Sequence, residues 1–448
     1  MEKKLENRLA ITKIEVKELF GLYDYTLPNA ESDISKLLIV YGDNGTGKTT
    51  ILKLFFYLLA TRDNSGYKSR LAETKFKKFS VHFQNGLEIG AYREEASLGT
   101  YEYFISKNKE KIKSIVLKSN ANNTIQLEPG SKDNVIYLEI LEYIRGLNIT
   151  IFYLSDDRKI LNSLTSERDE IRENKIIINE SDIIFSKEYE KIAVKKMLNE
   201  QRLALEPAIE RLIDWVRNKV ISGSRKGEQN SQVIFSNIIK NYITLSNSES
   251  PIKDKKSLQI ELSNLEEKIP PYINFGLLDK LDTQGIRNSI KNAKTEEQIK
   301  FLSTVISPFL ESINAKLNAL EYVSKTINIF LQTVNDYFAG KRIEFHLSTG
   351  FSLKQISNNE SLDFNWLSSG EKQLLLLLIN TITSADDATI FIIDEPEISL
   401  NIKWQRKLIK TLLDFSKEKN IQFILATHSF ELLSAYKNSI TKLVSENA

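Results

Sequence analysis

Apolar positions along this chain change their spacing twice. From residue 11 to about residue 154 they read mostly as strands. Ile11-Thr-Lys-Ile14-Glu-Val16 alternates with period two, and a turn containing Gly21 follows. Leu37-Leu-Ile-Val-Tyr41 is an unbroken apolar run, the pattern of a strand buried on both faces. A Gly-rich loop leads from it into an apolar helix at Ile51–Ala60. Phe79–Gln84 and Leu87–Tyr92 flank Asn85-Gly86, a strong two-residue hairpin signal. Tyr101–Ile105 and Ile112–Leu117 extend that antiparallel sheet, and a helix around Asn134–Arg145 leads to a buried strand at Ile149–Leu154.

From about Asp156 to Gly340 the period becomes helical. Leu205, Ile209, Leu212, Val216 and Val220 form one stripe, with Pro207 in its first turn. A longer stripe runs through Leu302, Ile306, Phe309, Ile313, Leu317, Leu320, Ile327, Phe330, Val334 and Phe338. Gly340 stands where a C-terminal cap belongs, and Pro308 is expected to kink or restart the helix. Ser222–Ser231 and Asn247–Lys256 read as polar connectors. Strands return at Arg342–Leu347 and Phe351–Lys354. Helix Glu371–Thr381, strand Thr389–Ile393, helix Ile402–Lys417 and strand Ile421–Ala426 then complete an α/β pattern. The expected fold class is α/β, divided into residues 1–155, a helical insertion at 156–339, and residues 340–448.

Composition narrows the class. The chain has 448 residues, with 61 Lys+Arg against 59 Asp+Glu and a net charge of +2. That balance argues against binding nucleic acid through a uniformly basic surface. The concentrated basic stretches, Lys75 to Lys78 and Lys107 to Lys113, read first as solvated strand faces. There is no Cys, which removes thiol chemistry and Cys-based zinc sites. His82, His346 and His428 match no metal-ligand spacing. The longest apolar runs, such as Leu374–Ile379, are far shorter than the ~20 residues of a membrane span, and the first residues lack a signal-peptide core. A cytoplasmic setting without a membrane partner is the expectation.

The chemistry concentrates in two places. Gly42-Asp-Asn-Gly-Thr-Gly47-Lys48-Thr49 satisfies G-x-x-x-x-G-K-[ST] between a strand and a helix. Glycines let successive N–H groups converge on a phosphate, and the helix adds its positive end. Asn44, Gly45, Gly47, Lys48, Thr49 and Thr50 are the expected ATP contacts, Lys48 reaching the β- and γ-phosphates and Thr49 a Mg²⁺ ion. Second, the strand Thr389–Ile393 ends in Asp394-Glu395-Pro396. A parallel strand delivers its last residues to the edge where phosphate loops lie, so Asp394 is placed for Mg²⁺ and Glu395 for polarising the attacking water. Leu367-Ser368-Ser369-Gly370-Glu371-Lys372-Gln373 opens a further helix, where Ser369 and Gly370 offer a second anion site.

These motifs, with Ala426-Thr-His428-Ser429, resemble in order those of ATP-binding-cassette ATPases of the SMC, RecF and OLD-like branch. The resemblance covers roughly residues 8–155 and 340–436. It implies a phosphate-loop ATPase head with an antiparallel subdomain, in which Ser369 and Gly370 act in trans on ATP held by Lys48 of a second copy. It also implies a γ-phosphate contact for His428, and a homodimer or higher homo-oligomer. Glu397–Asn401 occupies the segment that usually crosses the dimer interface. The family's Gln after the antiparallel subdomain is missing; the corresponding place reads Tyr153-Leu-Ser155-Asp156-Asp157-Arg158, so Ser155, Asp156 or Arg158 is expected to line the site.

Within that branch the chain resembles ATPases of the PARIS and, second, Septu antiphage systems. This implies control of a separate effector, a Toprim nuclease first and an HNH nuclease second, with a phage-encoded trigger protein. The chain stops twenty residues after His428, which leaves no room for a Toprim domain of its own. The alternative is a RecF/SMC-like repair ATPase acting on DNA, which predicts salt-dependent DNA affinity. A transporter subunit is disfavoured by the helical insertion and the missing Gln.

Overall fold

A computed structural model describes residues 9–28, 36–62, 66–156, 160–162, 205–244, 253–384, 388–398, 400–417, 421–433 and 436–444. The first half contains β1 (Ile11–Leu19), β2 (Tyr23–Leu27), β3 (Leu37–Tyr41), α1 (Lys48–Leu59), α2 (Tyr67–Ala72), β4 (Phe76–Phe83), β5 (Leu87–Ser97), β6 (Tyr101–Lys107), β7 (Glu110–Leu117), α3 (Lys132–Gly146), β8 (Ile151–Leu154) and β9 (Ile160–Asn162). Then come α4 (Leu205–Thr244), α5 (Lys255–Lys268), α6 (Pro270–Asn274), α7 (Thr283–Asn292) and α8 (Glu296–Tyr337). The remainder holds β10 (Lys341–His346), β11 (Gly350–Gln355), β12 (Ser361–Leu362), α9 (Ser369–Ser384), β13 (Ile390–Asp394), α10 (Ile402–Phe415), β14 (Gln422–Thr427), α11 (Phe430–Leu433) and β15 (Ile440–Lys442). Contacts divide the chain into two units, residues 1–200 with 372–448, and residues 201–371. The strands β10–β12, expected with the C-terminal half, therefore belong with the long helices.

The first unit has two six-stranded sheets, ordered β15-β3-β14-β13-β8-β9 and β2-β1-β4-β5-β6-β7. In the former, β15, β3, β14, β13 and β8 run parallel, so the ends of β3, β13 and β14 share one edge. The other is antiparallel throughout. One apolar cluster, including Ile14, Leu38, Ile51, Phe55, Phe79, Tyr103 and Ile392, joins both sheets to α1. That helix is buried on nearly every side, which explains its density of Ile, Leu and Phe. Its C-terminal carbonyls at Tyr57, Leu58 and Ala60 accept bonds from the buried Lys68 ammonium at 2.8, 2.6 and 3.1 Å. Carbonyls at a helix end suit a cation; burial nonetheless lowers the Lys68 pKa to about 7. On the antiparallel sheet, Lys78 lies 2.8 Å from Glu15 and 2.9 Å from Glu88, Lys77 pairs with Glu18, Lys111 with Glu102 and Lys113 with Glu139.

The second unit is built on α4 against α8. Trp215 meets Tyr322 edge-on at 6.0 Å, and Gly223 lies where an added Cβ would come within 2.9 Å of the Ala319 carbonyl oxygen. The expected connector at Ser222–Ser231 is therefore corrected: it lies inside the 40-residue helix α4. Gly223 serves close helix approach there rather than a turn. Nor does the longer helix restart at Pro308, which lies inside the 42-residue α8. A capping box between Thr295 and Gln298 opens α8, and Phe345, Phe351 and Phe330 pack β10 and β11 against it. Gly21 lies in the expected turn, and after it Tyr23, Tyr25 and Leu27 pair with β1 as strand β2.

Candidate active site

The phosphate loop leaves β3 after Tyr41 and enters α1 at Lys48. Gly45 and Gly47 have φ of 84° and 89°, the left-handed region that favours glycine. At Gly47 a Cβ would also strike the Leu19 side chain at 2.8 Å, with the Phe20 ring 3.3 Å away. The loop is tied from both sides: the Thr46 hydroxyl donates to the Asp43 carbonyl at 2.8 Å, and the Tyr25 hydroxyl donates to the Thr46 carbonyl at 3.0 Å. Lys48 is buried and folds back over the loop, donating to the Gly42 and Asp43 carbonyls at 2.8 and 2.9 Å.

The parallel sheet brings the acidic strand end to this loop. Thr49 donates its hydroxyl to Asp394 Oδ1 at 3.1 Å, across 345 positions of sequence. Tyr153 donates to Asp394 Oδ2 at 3.2 Å from the neighbouring β8. Asp394 is fully buried, and burial raises its carboxyl to about 6 against the opposing bonds from Thr49 and Tyr153. The negative charges of Asp156 and Glu395 add to that rise. Tyr153, buried beside this carboxylate, is pushed far above the usual phenol range. Of the residues expected to replace the missing Gln, Ser155 is buried and Asp156 exposed, while Asp157 and Arg158 lie outside the described residues. The side chain that reaches Asp394 from β8 is that of Tyr153, which the sequence reading quoted without assigning it a role.

Glu395 follows with φ of 45°, a left-handed conformation uncommon for a residue with a Cβ. Its N–H donates to the Ala426 carbonyl at 2.9 Å, which ties the end of β13 to β14. Such strain at a strand end persists only where the surroundings enforce it. His428, just past β14, brings Nδ1 within 3.6 Å of Glu395 Oε1 and 3.4 Å of Glu397 Oε1. Glu395 and His428, predicted from separate motifs, are thus brought together. Glu397 joins them as a buried carboxylate without a catalytic role in the sequence reading. Asn401 caps α10, accepting from the Trp404 N–H at 3.1 Å.

Ser369 and Gly370 belong to the second unit, at the first turn of α9. The capping hydroxyl is that of Ser368: it accepts from the Glu371 N–H at 3.3 Å, while Glu371 Oε2 accepts from the Ser368 N–H at 2.7 Å. The sequence signal that could have found this reciprocal cap is the S-x-x-E spacing of Ser368 and Glu371. Lys341, at the start of β10, closes on the same carboxylate oxygen at 2.9 Å. Burial alone would raise the Glu371 carboxyl, but Lys341 and the Ser368 bonds hold it below its ordinary value.

A curated relative, the probable ATPase of retron Ec83 from Escherichia coli, is 26% identical over 227 residues, 48% of this chain. The match spans 39% of that protein's length. Among solved structures, the chain is similar to the Smc head domain with an extended coiled coil from Pyrococcus furiosus, bound to the C-terminal domain of ScpA. That pair is 16% identical with a TM-score of 0.37, covering 98% of this chain and 96% of the other. A second Smc head, bound to the C-winged helix domain of ScpA, gives 13% identity and a TM-score of 0.35, covering 97% of each chain. Among the described residues no helix is long and apolar enough to cross a membrane. The AAA ATPase domain family AAA_15 matches residues 10–433, a span that holds the phosphate loop, the acidic strand end and His428, and this chain belongs to that family of ATPases.

Proposed function

We propose that this ATPase takes ATP with Mg²⁺ on the Gly42–Thr50 loop, and that the α9 tip of a second copy closes on the γ-phosphate. Closure then controls a separate effector in antiphage defence. The observation that carries the reading is the Thr49–Asp394 hydrogen bond, which joins the phosphate loop to the acidic strand end. Lys48, together with the N–H groups of Asn44, Gly45, Gly47 and Thr50, neutralises and orients the triphosphate. Thr49 and Asp394 would hold Mg²⁺: hydroxyl and carboxylate oxygens suit a hard cation, and a buried carboxylate raised to about 6 gains a counter-charge. Bound there, the ion would neutralise charge on the β- and γ-oxygens. Glu395 polarises the attacking water, and His428 approaches the γ-phosphate. Ser369 and Gly370, with Ser368, supply the anion-facing helix start from the second copy.

The defence assignment draws support from the similarity to a retron ATPase. A PARIS-like arrangement with a Toprim effector is the first choice, and a Septu-like one with an HNH effector the second. A phage-encoded protein would be the trigger. Sedimentation of the Glu395→Gln chain with ATP and Mg²⁺ tests the clasp. A shift from monomer to dimer that Lys48→Ala abolishes is expected; a chain that stays monomeric overturns it. Co-expression with the neighbouring genes tests the effector, which should co-purify in a fixed ratio.

A further inference from the structure

Glu397 has no part in the scheme above, yet its surroundings are demanding. It is 5% exposed. One oxygen, Oε1, accepts from the Thr427 hydroxyl at 2.5 Å and the His428 N–H at 3.0 Å, and lies 3.4 Å from His428 Nδ1. The other, Oε2, is buried without a hydrogen-bond partner among the described residues. A buried carboxylate is costly unless donors converge on it, and here every donor converges on the oxygen beside the histidine. Glu395 Oε1 faces the same ring nitrogen at 3.6 Å.

A carboxylate only accepts hydrogen bonds, so the ring nitrogen facing two of them must carry a proton. We propose that Glu397 is a positioning residue that keeps a proton on His428 Nδ1 and so orients the half-exposed ring. Two consequences follow from the chemistry. With Nδ1 and the His428 N–H both turned to Glu397, Nε2 is the ring nitrogen left to approach the γ-phosphate. And because Glu397 retains the ring through both its backbone and its side chain, Glu395 is released to turn toward the attacking water without letting His428 go. The second consequence rests on the role given to Glu395 above, whereas the protonation of Nδ1 does not.

The chain has three histidines, so ¹⁵N-histidine labelling of the full protein gives three ring systems, and a His428→Gln chain assigns the one of interest. The His428 ring should show a protonated Nδ1. Glu397→Gln, whose amide can also donate, should lose that preference. Its kcat should fall on the order of tenfold to a hundredfold, with KM for ATP changed less than about threefold. An unprotonated Nδ1 in the unaltered chain overturns the proposal without any variant, and so does a Glu397→Gln chain whose Nδ1 protonation is unchanged. If His428→Gln leaves kcat intact while Nδ1 is protonated as expected, the participation of His428 in hydrolysis fails and the positioning by Glu397 stands.

Discussion

Asp394 shows how function and stability oppose one another at a single residue. Its carboxyl is raised to about 6 by burial, whereas an unfolded Asp titrates near 3.9. Between about pH 4 and pH 6 the folded chain therefore holds a proton that the unfolded chain has released. Stability from this group falls as pH rises through that window and stays reduced at pH 7. Asp394→Asn, which keeps one acceptor oxygen and turns an NH2 to the other hydroxyl, should stabilise the chain at pH 7 by roughly 1–3 kcal/mol and abolish hydrolysis. Urea titrations at pH 4 and pH 7 check this, since the gain should vanish at the lower pH. Tyr153→Phe leaves Asp394 Oδ2 without the hydroxyl and should raise the Mg²⁺ concentration for half-saturation several-fold, while metal-free ATP binding stays unchanged; Mn²⁺ binding by electron paramagnetic resonance reads it directly. The motif residues were legible because backbone-cradled phosphate needs fixed spacing. Tyr153 was not, because only strand pairing brings β8 beside β13.

At the scale of elements, the start of α9 is tied both by its own cap and by a neighbouring strand. Ser368 and Glu371 cap each other, and Lys341 neutralises a carboxylate buried at the positive end of the helix. Removing one partner of a buried pair costs far more than removing both. Lys341→Met should therefore lower stability by about 1–3 kcal/mol, and adding Glu371→Gln should recover most of the loss, both read from urea midpoints. In α4, Gly223→Val would press against the Ala319 carbonyl and the Leu320 side chain, both within 2.9 Å of the added Cβ. A loss of about 2 kcal/mol or more, with reduced helical signal on heating, is expected. Gly, Ser and charged residues in Ser222–Ser231 made a connector the natural reading, since glycine in an isolated helix is unfavourable. Packing against α8 overrides that preference, and no local pattern announces it.

For the whole molecule, charge is balanced locally as well as in total. The lysines at 77, 78, 111 and 113, prominent in the sequence, each meet a glutamate on the same sheet or on α3. Exposed pairs of this kind add little stability, but duplex DNA would have to displace a glutamate to use any of these four lysines. Affinity for duplex DNA should stay in the non-specific micromolar range at 150 mM salt, with a shallow salt dependence, measurable by fluorescence anisotropy. Tight binding with a steep slope would favour the repair reading instead.

By itself the sequence determined the local parts: strands and helices from their periods, the phosphate loop from its glycines, and an acidic pair at the end of an apolar strand. Each of these depends on residues within a few positions of one another, so the chain's own spacing carries the information. Tertiary structure decided which parts meet. Thr49 and Tyr153 both find Asp394, Glu397 finds His428, and Gly223 finds Ala319, through strand order and helix crossing that join residues distant along the chain. Those pairings are set by the burial of apolar surface across the whole fold, which no local period encodes.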